Sequence, residues 1–137
     1  MMQKTTSRTL RARLAVVPIV AALLSGTAVA TASPASAATY TCHWSVSGSY
    51  LYAGYYGGTT YVPRYGVYSG AAVEAQCLVK VFGISPGSID GIYGTNTVNA
   101  IKSFQRWANT YYHAGLTVDG YVGPATWPLL RRYANNH

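Results

Sequence analysis

The chain has 137 residues, with ten Lys and Arg against three Asp and Glu, a formal net charge of +7 and only 9% charged residues. That length holds one ordinary domain or a small one with a leader, and the 50% hydrophobic content excludes the charge-rich, apolar-poor signature of intrinsic disorder. The basic excess would argue for nucleic acid or an anionic surface only if it lay on the folded part, and much of it does not.

Lys4, Arg8, Arg11 and Arg13 precede an uninterrupted apolar stretch from Leu14 to Leu24, after which small residues run to Ala35-Ser36-Ala37. This is the pattern of a secretory signal peptide over residues 1–37, cleaved after Ala37, with Ala30 as the alternative. The apolar run is too short for a stable membrane anchor, so the mature protein is expected to be exported and free of the membrane. Removing the leader leaves 100 residues with six bases against three acids, a net charge of +3. The remaining bases, Arg64, Lys80, Lys102, Arg106, Arg131 and Arg132, form no run longer than two and do not interleave with aromatics, which speaks against nucleic acid as a partner. Cys42 and Cys77 both survive cleavage. An even pair in a small exported domain predicts one disulfide, and closing a loop of about 36 residues stabilises the fold by roughly 4 kcal/mol on the chain-entropy scale.

Residues 38–68 read as an irregular arm rich in Tyr and Gly, holding eight of the thirteen tyrosines. Gly54, Gly57, Gly58, Pro63 and Gly66 interrupt any regular element, so short extended pieces and turns are expected, laid over the next unit and tied to it by the disulfide. Most of these tyrosines are expected to pack as amphipathic cover on a small core, the alternative being a sugar-stacking surface.

Residues 69–137 change character. Apolar residues at Ala72, Ala75, Leu78, Val79 and Phe82 predict a first helix from Ala71, ended by Gly83. Val98, Ile101, Phe104, Ala108 and Tyr112 recur at three and four and predict a second helix over 95–112. A third, short helix is expected from Pro124 through Trp127, Leu129, Leu130 and Tyr133, locally irregular because Pro128 removes a backbone bond near its start.

An internal repeat stands out. Asp90-Gly91-Ile92-Tyr93-Gly94-Thr95-Asn96-Thr97 and Asp119-Gly120-Tyr121-Val122-Gly123-Pro124-Ala125-Thr126 share the pattern Asp-Gly-x-x-Gly-x-x-Thr at an offset of 29 residues, each just before a helix. In such a unit the Asp accepts bonds from backbone N–H groups of its own turn, and the first Gly takes positive φ. The second Gly is expected to let the chain enter the helix closely, with the Thr satisfying a terminal group in the first turn. Two turn-helix units plus the first helix make a compact all-α, three-helix domain preceded by the arm.

These stretches, with Gln76 in the first helix, Phe104-Gln105 in the second, both Asp-Gly turns and Gly123-Pro124-x-Thr126-Trp127, resemble the peptidoglycan-binding-domain-like family over about residues 69–131. Gly70 and Val73 meet the family's helix-one spacing only approximately, and Pro128 stands in place of a helix former. The resemblance implies an exported, cell-wall-associated protein that binds bacterial peptidoglycan non-covalently as a monomer, without a cofactor and without a reaction of its own.

The residues agree with a binding module. His43, His113 and His137 are dispersed and offer no clustered ligand set for a metal. The carboxylates are Glu74, Asp90 and Asp119, and both aspartates fall in the repeated turn. Candidate ligand contacts near the family turns are Tyr93, Tyr121 and Asp119, with Arg106, Trp107, Tyr111 and Tyr112 at the exit of the second helix. A secreted structural or protein-interaction module using the Tyr-rich arm is the second expectation, and a small cell-wall hydrolase using Glu74 or Asp119 the third.

Overall fold

The computed structural model describes residues 38–137, and the signal peptide expected over 1–37 lies outside the described residues. Two strands, β1 (Ser45–Ser47) and β2 (Tyr50–Tyr52), are followed by helices α1 (Gly70–Val81), α2 (Thr95–Tyr112) and α3 (Thr126–Asn135). The fold is therefore three helices with a small sheet, which corrects the purely all-α expectation. β1 and β2 pair antiparallel with Ser45 opposite Tyr52, Val46 opposite Leu51 and Ser47 opposite Tyr50. Gly48, at φ 61°, occupies the first position of the two-residue turn, where positive φ is needed for a tight hairpin. The strands were not legible as such because each is three residues long, too short to display an alternating pattern.

α1 begins at an N-cap, Ser69, whose hydroxyl accepts a bond from Ala72 N. All nine residues from Ala71 to Val79 are buried, so this helix is covered on every side rather than on one stripe. One side meets α2 and α3 in a core of Leu78, Val79, Ile101, Phe104, Trp127 and Leu130. Another meets the arm in a smaller cluster of Ala53, Val73, Cys77 and Ile89, flanked by Tyr40, Cys42 and Tyr55. Cys42 and Cys77 form a disulfide in that second cluster, with a Cα–Cα distance of 5.8 Å. Residues Ala38–His137 thus make one unit, with the arm as the layer that closes α1.

α3 starts later than expected. Pro124 and Ala125 form a turn ahead of Thr126, while Thr126 N and Trp127 N both donate to Gly123 O at 2.9 and 3.0 Å. Pro124 therefore needs no N–H partner there, and Pro128 is accommodated inside a helix that continues to Asn135. α2 ends at His113, whose left-handed backbone (φ 52°, ψ 43°) lets its N–H close back on the last turn.

Candidate functional site

The two Asp-Gly turns are built the same way, and each is held by a glutamine from the preceding helix. In the first, Gln76 Nε2 donates to Asp90 Oδ1 at 3.2 Å, Ile92 O at 3.0 Å and Thr97 Oγ1 at 3.0 Å, while Gln76 Oε1 accepts from Gly91 N at 2.9 Å. In the second, Gln105 Nε2 donates to Asp119 Oδ1 and Tyr121 O, both at 3.0 Å, and Gln105 Oε1 accepts from Gly120 N at 2.9 Å. Each aspartate closes its own turn by accepting from the N–H two residues on, Ile92 and Tyr121, at 2.9 Å. Gln76 and Gln105 are themselves 29 residues apart, so the repeat extends to the glutamines, a signal present in the sequence.

Gly91 and Gly120 take positive φ (76° and 81°), and a Cβ on either would sit 2.5 Å from Tyr68 or Val98 side-chain atoms, so both positions require glycine. The other repeat positions serve differently from expectation. A Cβ at Gly94 would meet nothing within 4 Å, so close helix entry is not its reason. Thr97 does not cap the helix; its hydroxyl links Gln76 Nε2 to Pro86 O. Thr126 is buried at the start of α3.

Tyr93 is fully buried, and its hydroxyl donates to Gly120 O at 2.8 Å, fastening the first turn to the second. Burial pushes its phenol well above the ordinary tyrosine range, with Tyr121 and Asp119 adding to the effect. The Tyr121 ring stacks on it at 5.6 Å and 17° and is half-buried. Tyr93 therefore offers no ring face to a ligand; among the candidate contacts it is a structural residue. Asp119 is exposed, yet one of its oxygens is committed to Gln105 and Tyr121 N.

The remaining candidates assemble at the far end of α2. Trp107 is half-buried, and Tyr111 and Tyr112 are 69% and 51% exposed. Their rings lie 6.1 and 5.3 Å from the Trp107 ring. Tyr133 from α3, which sequence reasoning did not place here, stacks on Tyr112 at 4.2 Å and stands edge-on to Trp107 at 5.7 Å. His137 and Phe82 complete the border, 5.5 and 5.1 Å from Trp107. Arg106 is exposed on the same turn of α2, and its side chain makes no hydrogen bond or ion pair among the described residues.

The arm is anchored by two buried charges that sequence reasoning did not assign to it. Glu74 Oε2 accepts from Ala53 N at 2.7 Å, and Oε1 accepts from Tyr55 N and Tyr56 N at 2.9 and 3.1 Å. Arg131 donates to Tyr56 O and Gly58 O at 2.6 and 2.8 Å, and its guanidinium lies 4.7 Å from the Tyr52 and Trp127 ring centres. Burial pulls the Arg131 guanidinium below its ordinary pKa, while Glu74 and then Tyr52 and Tyr56 act in the opposite direction. Trp127 Nε1 adds a bond to Tyr61 O at 2.8 Å. Among the described residues all three carboxylates are thus engaged with the scaffold, which removes Glu74 from the candidate hydrolytic groups. Among the same residues no three His, Cys, Asp or Glu side chains come together as a metal site, and no helix is long and apolar enough to cross a membrane.

The family model described as "Putative peptidoglycan binding domain" matches residues 69–130, a span holding both glutamine-clamped turns. A curated relative from Kitasatospora aureofaciens, described as an uncharacterized protein in the bpoA1 3' region, is 37% identical over 121 residues, 86% of this chain and 89% of its own length. A crystal structure of a peptidoglycan-binding protein from Clostridioides difficile, in complex with glutamine hydroxamate, is similar at 36% identity and a TM-score of 0.48. The match covers 56% of this chain and 44% of that one.

Proposed function

Because the chain belongs to the peptidoglycan-binding-domain family, whose domain occupies residues 69–130, we propose that it is an exported, non-catalytic protein that attaches to bacterial cell-wall peptidoglycan through the aromatic patch of Trp107, Tyr111, Tyr112 and Tyr133. The observation that carries this reading is the gathering of those rings. Four aromatics from two helices converge at one end of the module, with Tyr111 and Tyr112 more than half exposed. Small domains bury their large aromatics, so rings held in contact with each other yet open to water are suited to a sugar face. Arg106 alongside supplies a cation for a stem-peptide carboxylate. The disulfide and the leader-like sequence support export, since paired cysteines persist in oxidising compartments.

Sedimentation with purified, insoluble sacculi tests this reading. The protein is expected to co-sediment, and Tyr111→Ala with Tyr112→Ala to lower retention about tenfold, near 1.4 kcal/mol, in a variant that circular dichroism shows to be still folded. A protein that stays in the supernatant at every sacculus concentration would overturn the function. Undiminished retention of the double variant would move the contact elsewhere.

A further inference from the structure

We propose that the open groove beside the first Asp-Gly turn, with exposed tyrosines of the arm next to it, is a second glycan contact, an inference that rests on the wall-binding reading above. The groove, about 250 Å³, is lined chiefly by Ser88, Asp90, Ile92, Thr95, Asn96 and Thr97. It is smaller than a pocket that encloses a free small molecule, which suits one unit of a polymer lying across it.

Two tyrosines of the arm are held against residues of this turn. Tyr65 is 57% exposed, and its hydroxyl shares a 2.8 Å hydrogen bond with Thr95 Oγ1. Tyr68 is 50% exposed, its backbone bridges to Ile92, and its ring lies over the Gly91 position. Both rings are thus fixed by contacts with the turn while much of each remains in water, an arrangement that costs little further ordering when a sugar ring stacks on it.

The floor is polar and nearly uncharged. Ser88 and Asn96 are exposed, and their side chains make no hydrogen bond among the described residues. Asp90 is the one charged lining residue, and its Oδ1 is already taken by Ile92 N and Gln76. No Lys or Arg lines the groove, so nothing there recognises the carboxylates of a stem peptide, whereas hydroxyls and an amide match the hydroxyl and acetamido groups of a glycan. The repeat supplies an internal comparison. The second turn keeps the Asp, the Gly and the glutamine clamp, yet has Pro124 and Ala125 where the first has Thr95 and Asn96. Asp90 and Thr97, shared with the second turn, are engaged in the first turn's hydrogen bonds, whereas Thr95 and Asn96, exposed in the groove, are particular to the first turn. Groove and patch lie at opposite ends of α2, about 25 Å apart by helical rise, so one protein could hold a strand at two points.

Amide NMR of the purified protein titrated with an N-acetylglucosamine hexamer tests the groove. Shift changes are expected at Ser88, Ile92, Thr95 and Asn96, and Tyr65→Ala with Asn96→Ala is expected to weaken binding at those amides at least tenfold without moving the melting temperature. Groove amides that stay still at saturating hexamer, or a variant that binds as tightly as the parent, would overturn the proposal. Sacculus sedimentation run in parallel separates the two readings. Retention on sacculi with silent groove amides discards the groove and keeps wall binding, whereas groove shifts without retention on sacculi keep the groove and discard wall binding.

Discussion

Glu74 on α1 and Arg131 on α3 meet through a single residue of the arm: Tyr56 donates its N–H to Glu74 at 3.1 Å and offers its carbonyl to Arg131 at 2.6 Å. Two opposite charges, both buried, bond to the arm's backbone rather than to each other, with only Arg131 Nε left without a partner among the described residues, so the arm is what makes their burial tolerable. Glu74→Ala should cost about 3–5 kcal/mol, because three backbone N–H groups lose their acceptor and Arg131 loses its counter-charge. Urea unfolding measures it, and a double cycle with Arg131→Met should show a coupling above about 0.5 kcal/mol. Additive losses would mean that the two charges act independently.

Reduction of the Cys42–Cys77 bridge frees the start of the arm from the middle of α1. For a loop of about 36 residues the expected loss is roughly 4 kcal/mol, large against the stability of a domain of 100 residues. Thermal unfolding with and without reductant checks this, and an unchanged transition would show that Glu74 and Arg131 hold the arm unaided.

The glutamine clamps should fail alike. Gln76→Glu and Gln105→Glu each replace a donor to an aspartate oxygen with a carboxylate oxygen, at a cost of about 3 kcal/mol apiece. The two losses, read from urea midpoints, should agree within about 1 kcal/mol, with Gln76 the costlier because it alone also donates to Thr97 Oγ1. A cost below about 0.5 kcal/mol at either site would deny that clamp a structural role.

Tyr93 gives the fold an alkaline limit. Its phenol is raised from an unfolded value of 10.0, mainly by burial, so the folded state favours the protonated form. That contribution is intact below pH 10 and is lost as the pH rises above it, because the unfolded chain ionises first. Tyr93→Phe should flatten this loss while costing about 1–2 kcal/mol at neutral pH through the lost bond to Gly120. Circular dichroism across pH 9–12 reads both effects, and identical alkaline transitions in the parent and the variant would assign the limit to other groups.

Within the aromatic patch the rings should divide by burial. Trp107→Ala removes contacts with Phe82 and Phe104 and should destabilise by about 2–4 kcal/mol. Tyr111→Ala, at a position 69% exposed, should stay within about 0.5 kcal/mol of the parent. Melting curves separate the two, and equal losses would place Tyr111 in the core.

The sequence by itself determined the three helices and the repeated Asp-Gly turns, because each is written in local spacing, and the disulfide partners, because the chain has only two cysteines. Apolar residues at three and four mark a helix face, and an Asp-Gly pair accepts its own backbone. The family followed from the same local motifs. What the tertiary structure decided was which side chains of one type do which work. Tyr93 and Tyr111 are the same residue in composition, yet one is sealed beneath the turns and the other stands in water. In the sequence Glu74 is a catalytic candidate and Arg131 one of six scattered bases, and in the fold they grip backbone groups 18 to 75 residues away in the chain. A side chain that bonds backbone can bond any residue's N–H or carbonyl, so no pattern of residue types records the partner, and only the packed chain selects it.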